Sequence, residues 1–138
     1  MDIEKLKRVR LEQDGLSKTL GMDFISTPEP DTCMARMKVG RHNRQVFGFL
    51  SGGASLALAE NLAGIGSMAL CPGKICLGIN VTGNHMKAVL EGDTVTAYGR
   101  CIHKGRTLHL WHIELKNNAV ELISSVEVTN FILTPRTK

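Results

Sequence analysis

One long uncharged stretch constrains the fold more than any other feature of the chain. Between residues 45 and 73, Glu60 is the only residue with a formal charge. The stretch predicts a helix over residues 53–69, which Pro72 and Gly73 end. Apolar residues cover nearly the whole circumference of this helix. We therefore expect it to be enclosed by a curved sheet instead of resting on one face of a flat one.

The residues on either side of this helix predict strands that turns separate. The strands are expected over residues 20–27 and 33–39 before the helix, and 76–82, 94–103, 107–115 and 120–133 after it. Residues 1–14 predict a short amphipathic helix, with Ile3, Leu6 and Val9 on one side. Antiparallel strands wrapped around one long helix make an α+β domain. We expect residues 1–138 to form this single domain.

Composition and charge narrow the range of partners. Aromatic residues make up 4% of the chain, too few for platforms that stack nucleic-acid bases. The net charge of +4 is too small for a general nucleic-acid binder, but it suits an anionic small molecule. An acid at the centre of the apolar helix costs about 2.5–3.5 kcal/mol in a bilayer, so no membrane span is expected.

The cysteines and histidines predict neither disulfides nor a metal site. The four cysteines contain no Cys-x-x-Cys pair, and no secretory signal opens the sequence. Reduced thiols in a cytoplasmic protein are therefore expected. His109 and His112 are three apart on one predicted strand, so they point to opposite faces and make a poor metal pair. With no other cluster at ligand spacing, we expect no metal and no cofactor.

The isolated acid is the first candidate for chemistry. A carboxylate among apolar residues must be paired, be kept neutral or take part in a reaction. Spacing alone leaves open a structural role for Glu60, either hydrogen-bonded to the backbone or paired with Arg44 or Lys87. The predicted helix begins after Ser51 and Gly52, where backbone N–H groups can face a developing anion. An acid and an anion-binding helix start are two parts of a hydrolytic site.

Several short motifs follow one another in the order found in a known family. They are NRQVFG at 43–48, SGG at 51–53, AE at 59–60, GNHM at 83–86, GD at 92–93 and HKGRT at 103–107, followed by Trp111. With these motifs the chain resembles the hotdog-fold acyl-CoA thioesterases, in the PaaI-like branch that includes aryl-CoA hydrolases. The resemblance implies hydrolysis of a coenzyme A thioester with an aryl or medium-size acyl group. It also implies homodimers with shared active sites, often paired again into tetramers.

The resemblance assigns roles to individual residues. Glu60 becomes the nucleophile or general base, the Gly52 N–H group polarises the thioester carbonyl, and Gln45 orients the thioester or the water. Relatives often have a histidine where this chain has Ser51, and a serine or threonine that holds the water where it has Gly64. Substrate contacts are expected from Ser51, Gly53, Asn61, His85, Lys104, Gly105, Arg106 and Thr107.

Several of these roles remain open from the residues alone. Asn61 or Ser67 is a candidate to hold the water in place of a side chain at position 64. The segment Lys104-Gly105-Arg106 is either a plain β-turn or a contact for the phosphates of coenzyme A. His85 either lines the substrate channel or lies at an interface.

Other functions of the same fold are also considered. A hotdog dehydratase would pair the helical acid with a histidine on the preceding loop. His42 lies on that loop, but the proline-rich signature of such enzymes is missing around it. A non-catalytic acyl-CoA-binding protein and a thioesterase acting on acyl carrier protein are the remaining alternatives.

Helix geometry predicts that one chain does not complete the site. Eight helical residues separate Gly52 from Glu60, which corresponds to roughly 12 Å along the axis. A glutamate side chain leans toward the helix start, but it is too short to reach a carbonyl held at Gly52. Two antiparallel copies of the helix across a two-fold axis would bring the two parts together.

Overall fold

The computed structural model describes residues 1–8 and 15–136, which form one antiparallel sheet and one long helix. In chain order the elements are α1 (Glu4–Leu6), α2 (Leu16–Leu20), β1 (Met22–Ile25), β2 (Thr32–Lys38), α3 (Gly52–Leu70), β3 (Ile75–His85), β4 (Thr94–Lys104), β5 (Leu108–Lys116) and β6 (Leu122–Leu133). Among the described helices, none is both long and apolar enough to cross a membrane.

The six strands form one sheet in the order β1-β2-β4-β5-β6-β3, and every neighbouring pair is antiparallel. Helix α3 packs against β2, β3, β4, β5 and β6. The expected α+β architecture, a sheet around one long helix, is therefore confirmed. The long crossover from β2 through α3 to β3 places β3 at the far edge of the sheet.

The core lies between α3 and the inward face of the sheet. Inward and outward residues alternate along each central strand. The inward side chains of β5 and β6 that face α3 are fully buried and include Trp111, Ile113, Leu115, Val126 and Val128. The helix lies close to the sheet at Gly66, where a Cβ would lie 2.6 Å from Trp111 Cζ2. The absence of a side chain at this position sets the depth of the helix.

The structure differs from the sequence-based expectation in three places. The N-terminal helix was predicted over residues 1–14, but α1 covers only Glu4–Leu6, and residues 9–14 lie outside the described residues. The short helix α2 was not predicted; Gly21, with φ of 82°, ends it. Strand β3 extends to His85 instead of ending near Thr82 because it pairs with β6 along its whole length.

The loop before α3 has a defined structure, which a buried asparagine maintains. Asn43 Nδ2 donates to Leu20 O at 3.1 Å and to Lys38 O at 2.9 Å. Asn43 Oδ1 accepts from Gly40 N at 2.9 Å, and Asn43 O accepts from Ser51 N at 2.9 Å. These bonds fix both ends of the loop, so they place Gln45 beside the start of α3.

Candidate active site

Glu60 lies on α3 and faces the edge strand β3. A Cβ built on Gly78 would overlap the Glu60 carboxylate, so only glycine fits below the acid. The chain bulges at Ile79, directly after this glycine, and such bulges are frequent beside active sites. Glu60 is partly exposed, and within the described ranges its carboxylate has no hydrogen-bond or ion-pair partner.

The two cations considered as structural partners of Glu60 bind other acids. Arg44 Nη1 lies 3.0 Å from Glu91 Oε2, and Lys87 Nζ contacts Glu121 Oε2. The ion pair of Glu60 with Arg44 or Lys87 that the sequence left open is therefore not formed. An unpaired carboxylate in a cleft is what a general base or a nucleophile requires.

A cleft of about 260 Å³ surrounds this carboxylate. Its lining comes from one face of α3 and from the two strands below: Glu60, Asn61, Gly64, Ile65, Met68, Cys76, Gly78 and Asn130. Asn61 lines this cleft, but its Nδ2 donates to Ala57 O at 2.7 Å, one helical turn earlier. Its amide hydrogens are thus partly engaged by the helix itself.

A second cleft, of about 300 Å³, lies at the start of α3. It brings together Gln45, Gly52 and His85. Gly52 is the first residue of α3 and follows Ser51 at the N-cap, whose side chain makes no capping bond. The first N–H groups of a helix have no intrahelical acceptor, so the Gly52 N–H group can donate to a ligand. Gly53 is exposed beside it.

His85 packs directly against Gly52. A Cβ on Gly52 would lie 2.9 Å from His85 Nε2, so glycine is required for the ring to occupy this place. His85 Nδ1 is 2.7 Å from the hydroxyl of the buried Ser124, which fixes the plane of the ring. Sequence reasoning missed Ser124, since a serine in a strand gives no signal of its partner.

The side chain of Gln45 is oriented by its own loop. Its Oε1 accepts from Phe47 N at 2.5 Å and from Phe49 N at 3.3 Å. Both are donors, so the oxygen end of the amide faces the loop. The NH₂ end is therefore the end that can donate to a ligand in the cleft.

The two clefts have no lining residue in common. Helix α3 is continuous from Gly52 to Leu70, so the acid and the helix start are held roughly 12 Å apart. Within one chain, Gln45, Gly52 and His85 lie together, and Glu60 lies with Asn61.

The segment considered either as a β-turn or as a phosphate contact lines neither cleft. Residues 105–107 connect β4 and β5 in a tight turn, closed by Gly105 N donating to Leu108 O at 2.8 Å. Lys104 and Arg106 are exposed and form no ion pair with any residue that the structure describes. Thr107 O accepts from Ile132 N at 2.7 Å. His42 is exposed and lines neither cleft.

A buried polar network below α3 was not expected from the sequence. Ser67 Oγ lies 2.9 Å from Trp111 Nε1, 3.0 Å from Asn130 Nδ2 and 2.8 Å from His109 Nδ1. The indole and amide groups donate, so the serine hydroxyl donates to His109 Nδ1. His109 Nε2 therefore carries the proton and faces Cys71 Sγ at 3.5 Å. Ser67 is thus fully engaged and cannot also hold a water at Glu60.

Comparisons with known proteins relate the chain to thioesterases. The sequence model of the thioesterase superfamily matches residues 47–124. A 1,4-dihydroxy-2-naphthoyl-CoA hydrolase of Listeria monocytogenes is 32% identical over 110 residues, which are 79% of this chain and 88% of that enzyme. The structure of thioesterase PA1618 of Pseudomonas aeruginosa is 30% identical, with a TM-score of 0.87 over 96% of this chain and 94% of that one. The predicted hotdog fold is confirmed.

A further relative has been solved as two variants with one substitution each. Thioesterase SAV0944 of Staphylococcus aureus is 32% identical, with a TM-score of 0.80 over 85% of this chain and 97% of that one. Its structures include one with a glutamine replaced by alanine and one with a glutamate replaced by alanine, fifteen positions apart. Gln45 and Glu60 are also fifteen positions apart.

The two histidines of β5 are predicted to make stability depend on pH with opposite sign. Burial, together with the charges of Lys104 and His103, lowers the pKa of His109 below 6.5. A hydrogen bond to Glu127, with a second to Glu114, raises the pKa of His112 above 6.5. The contribution of His109 to the free energy of unfolding is therefore present above pH 6.5 and is lost as the pH falls through its folded-state pKa. That of His112 is present below pH 6.5 and is lost as the pH rises through its folded-state pKa.

Thermal unfolding of His109→Gln and His112→Gln between pH 5 and 8 measures this difference. The loss in Tm caused by His109→Gln should shrink as the pH falls, whereas the loss caused by His112→Gln should shrink as the pH rises. Parallel pH profiles of the two variants would contradict the assignment.

Proposed function

Because this chain belongs to the thioesterase superfamily and is a thioester hydrolase of the hotdog fold, we propose that it hydrolyses acyl-CoA thioesters with Glu60 as the catalytic carboxylate. The observation that carries the proposal is the unpaired Glu60 carboxylate in a cleft above Gly78. The Gly52 N–H group is the oxyanion donor. Gln45, fifteen positions before the acid, orients the thioester or the water, a spacing that matches the substituted pair of SAV0944.

The carboxylate is a better candidate for this chemistry than the neighbouring thiol. Cys76 lines the same cleft, but burial, with the nearby Cys71, raises the pKa of Cys76 to about 11. A thiol with this pKa holds almost no thiolate at neutral pH, and the thiolate is the nucleophilic form. Glu60 therefore acts as the general base for water or as the nucleophile that attacks the carbonyl carbon.

The oxyanion of the tetrahedral intermediate is stabilised at the second cleft. The Gly52 N–H group at the start of α3 benefits from the positive end of the helix dipole. The NH₂ group of Gln45 and the ring of His85 line the same space. One backbone donor of this kind typically contributes about 2.7–4 kcal/mol to the transition state.

The active site is proposed to form between two subunits of a homodimer. Glu60 lies above β3, the edge strand of the sheet. This strand exposes Ile75, Leu77 and Ile79. An unpaired apolar edge strand can form hydrogen bonds with a strand of another chain. A partner subunit that pairs along β3 would bring its own helix start to the Glu60 cleft. Pairing of two such dimers into a tetramer is a further part of the proposal.

The acyl group is proposed to be an aryl or medium-size group. The cleft beside Glu60 is lined by Ile65 and Met68, and a Cβ at Gly64 would meet no atom within 4 Å. The Listeria relative, whose name describes a naphthoyl-CoA hydrolase, supports an acyl group of this kind.

The exposed cations Lys104 and Arg106 are proposed to contact the phosphates of coenzyme A. The remaining contacts proposed for the substrate are those of Ser51, Gly53, Asn61, Gly105 and Thr107.

Replacing Glu60 by glutamine tests the catalytic assignment. Glu60→Gln keeps the shape of the side chain and removes the base, so kcat should fall by about 10²–10⁴ with little change in Tm. The measurement is thiol release from aryl-, short-chain and long-chain acyl-CoA esters. Glu114→Gln, on the outer face of the sheet, is the matched control and should retain turnover. Near-normal kcat in Glu60→Gln would refute the role of the acid.

Mixed dimers test whether two subunits share the site. Glu60→Ala removes the acid, and Gly52→Pro removes the N–H donor at a helix position that tolerates proline. Each variant alone should be nearly inactive. A mixed dimer contains one site that combines the intact Glu60 of one chain with the intact Gly52 of the other, so about half of the wild-type kcat per dimer should return.

The mixed dimers are purified through two different affinity tags, which proves that they have formed. Because His85 leaves no room for a side chain at position 52, Gly52→Pro also displaces this ring. The lost N–H group and the displaced ring both belong to the Gly52→Pro chain. The restored site takes its Gly52 and His85 from the other chain, so the test is not altered. Correctly assembled mixed dimers without recovered hydrolysis would show that the parts come from one chain.

Arg106→Ala tests the contact with the carrier. The substitution should raise KM for acyl-CoA while leaving kcat unchanged, because it removes a contact to phosphates remote from the reacting bond. The same acyl group on N-acetylcysteamine, which has no phosphates, should show no such change. Equal effects on both esters would indicate a structural role, and a preference for the acyl carrier protein ester would change the proposed carrier.

A further inference from the structure

Asn130 is the one polar residue on the inward face of β6 that reaches the Glu60 cleft. Its nearest neighbours on the same face of the strand are the apolar residues Val126, Val128 and Ile132. Asn130 is 1% exposed and lines the cleft together with Glu60. Burying an amide at an apolar position is unfavourable unless both of its ends find partners.

The helix determines which end of this amide faces the core. Asn130 Nδ2 lies 3.1 Å from Ala63 O and 3.0 Å from Ser67 Oγ. A backbone carbonyl only accepts, so the atom beside Ala63 must be the NH₂ group. Asn130 Oδ1 therefore points away from these two atoms. It is the only buried side-chain nitrogen or oxygen in the described part of the chain that lacks a hydrogen-bond partner.

The unpartnered oxygen is a close neighbour of the unpaired acid. Asn130 and Gly78 are direct partners across β6 and β3, and the side chains of such partners start about 4.5–5.5 Å apart. The Glu60 carboxylate occupies the space where a Gly78 side chain would start. The residues that carry these two acceptors thus line one cleft, with open space at Gly64, one turn after Glu60.

We propose that Asn130 Oδ1 and Glu60 together hold the attacking water, which makes Asn130 a further positioning residue of the site. This inference rests on the proposed function and assigns to Glu60 the role of general base. A water has two hydrogens to donate, one to each acceptor, and its lone pair is then directed at the substrate. Ser67 does not take this place, since its hydroxyl is engaged in the core, and the Nδ2 group of Asn61 is bonded to Ala57 O in the helix.

The reaction step balances without any further reagent. The water oxygen bonds to the thioester carbonyl carbon as Glu60 takes one of its protons, and the carbonyl oxygen becomes the oxyanion. When the intermediate collapses, the carbon–sulfur bond breaks and its electron pair leaves with sulfur. Glu60 returns the proton to this sulfur, so the products are the carboxylic acid and the thiol.

The test uses Asn130→Ala alone and with a hydroxyl restored nearby. Asn130→Ala should lower kcat by about 10²-fold, as expected for a misplaced reactant, with KM nearly unchanged. It also removes two hydrogen bonds from the core, so Tm should fall. Adding Gly64→Ser places a hydroxyl in the open space on the Glu60 side of α3. This second substitution should recover at least 10-fold of kcat without restoring Tm.

Gly64→Ala in the Asn130→Ala background is the matched control. Alanine gives the same gain in helix propensity as serine or more, but it has no hydroxyl and should recover no activity. Wild-type kcat in Asn130→Ala, or equal effects of serine and alanine at position 64, would overturn the proposal. If Asn130→Ala does not fold, the same comparison is made with Asn130→Ser, which keeps a small polar group at this position.

Failure of this inference is distinguishable from failure of the proposed function. An inactive Glu60→Gln together with a fully active Asn130→Ala would refute the water-holding role and leave the catalytic acid in place. An active Glu60→Gln would refute both.

Discussion

The depth at which α3 packs against the sheet is the constraint on which the rest of the structure depends. Two glycines set this depth. Gly66 lies against the ring of Trp111, and Gly78 lies below the carboxylate of Glu60. A side chain at either glycine would push the helix away from the sheet, because a close-packed core has no free space to absorb it. The hydrogen bond from Trp111 Nε1 to Ser67 Oγ, at 2.9 Å, also holds the helix close to the sheet at this level.

The same packing explains why one chain presents two separate clefts. A straight helix that is buried along most of its length cannot bend to bring its start to its middle. Gly52 and Glu60 are therefore held apart by helix geometry. The helix also places Glu60 above β3, the edge of the sheet, and not above a central strand. The catalysis proposed for Glu60 would thus require groups that approach from beyond that edge, which favours a second subunit as their source.

The sequence predicted the elements whose signals are local. The apolar stretch with a proline and a glycine after it located α3 to within one residue at each end, and turn residues separated the strands. Glu60 was identifiable because it is the one charge among apolar residues. The path of the loop that carries Gln45 was not predictable, since it depends on the contacts of Asn43 with Leu20 and Lys38. The polar Asn130 in an apolar alternation was a visible signal, but only the fold shows that it neighbours Gly78.

The buried polar side chains differ in whether their hydrogen bonds are complete. Ser67 accepts two hydrogen bonds and donates one, so it is saturated and serves packing. In the described part of the chain, one buried side-chain oxygen lacks a partner, and its residue, Asn130, lines the same cleft as the unpaired Glu60. Folded proteins leave few such atoms, because each costs about 1–3 kcal/mol. Two unmatched acceptors on residues of one cleft therefore support the proposed water, which is a donor from outside the chain.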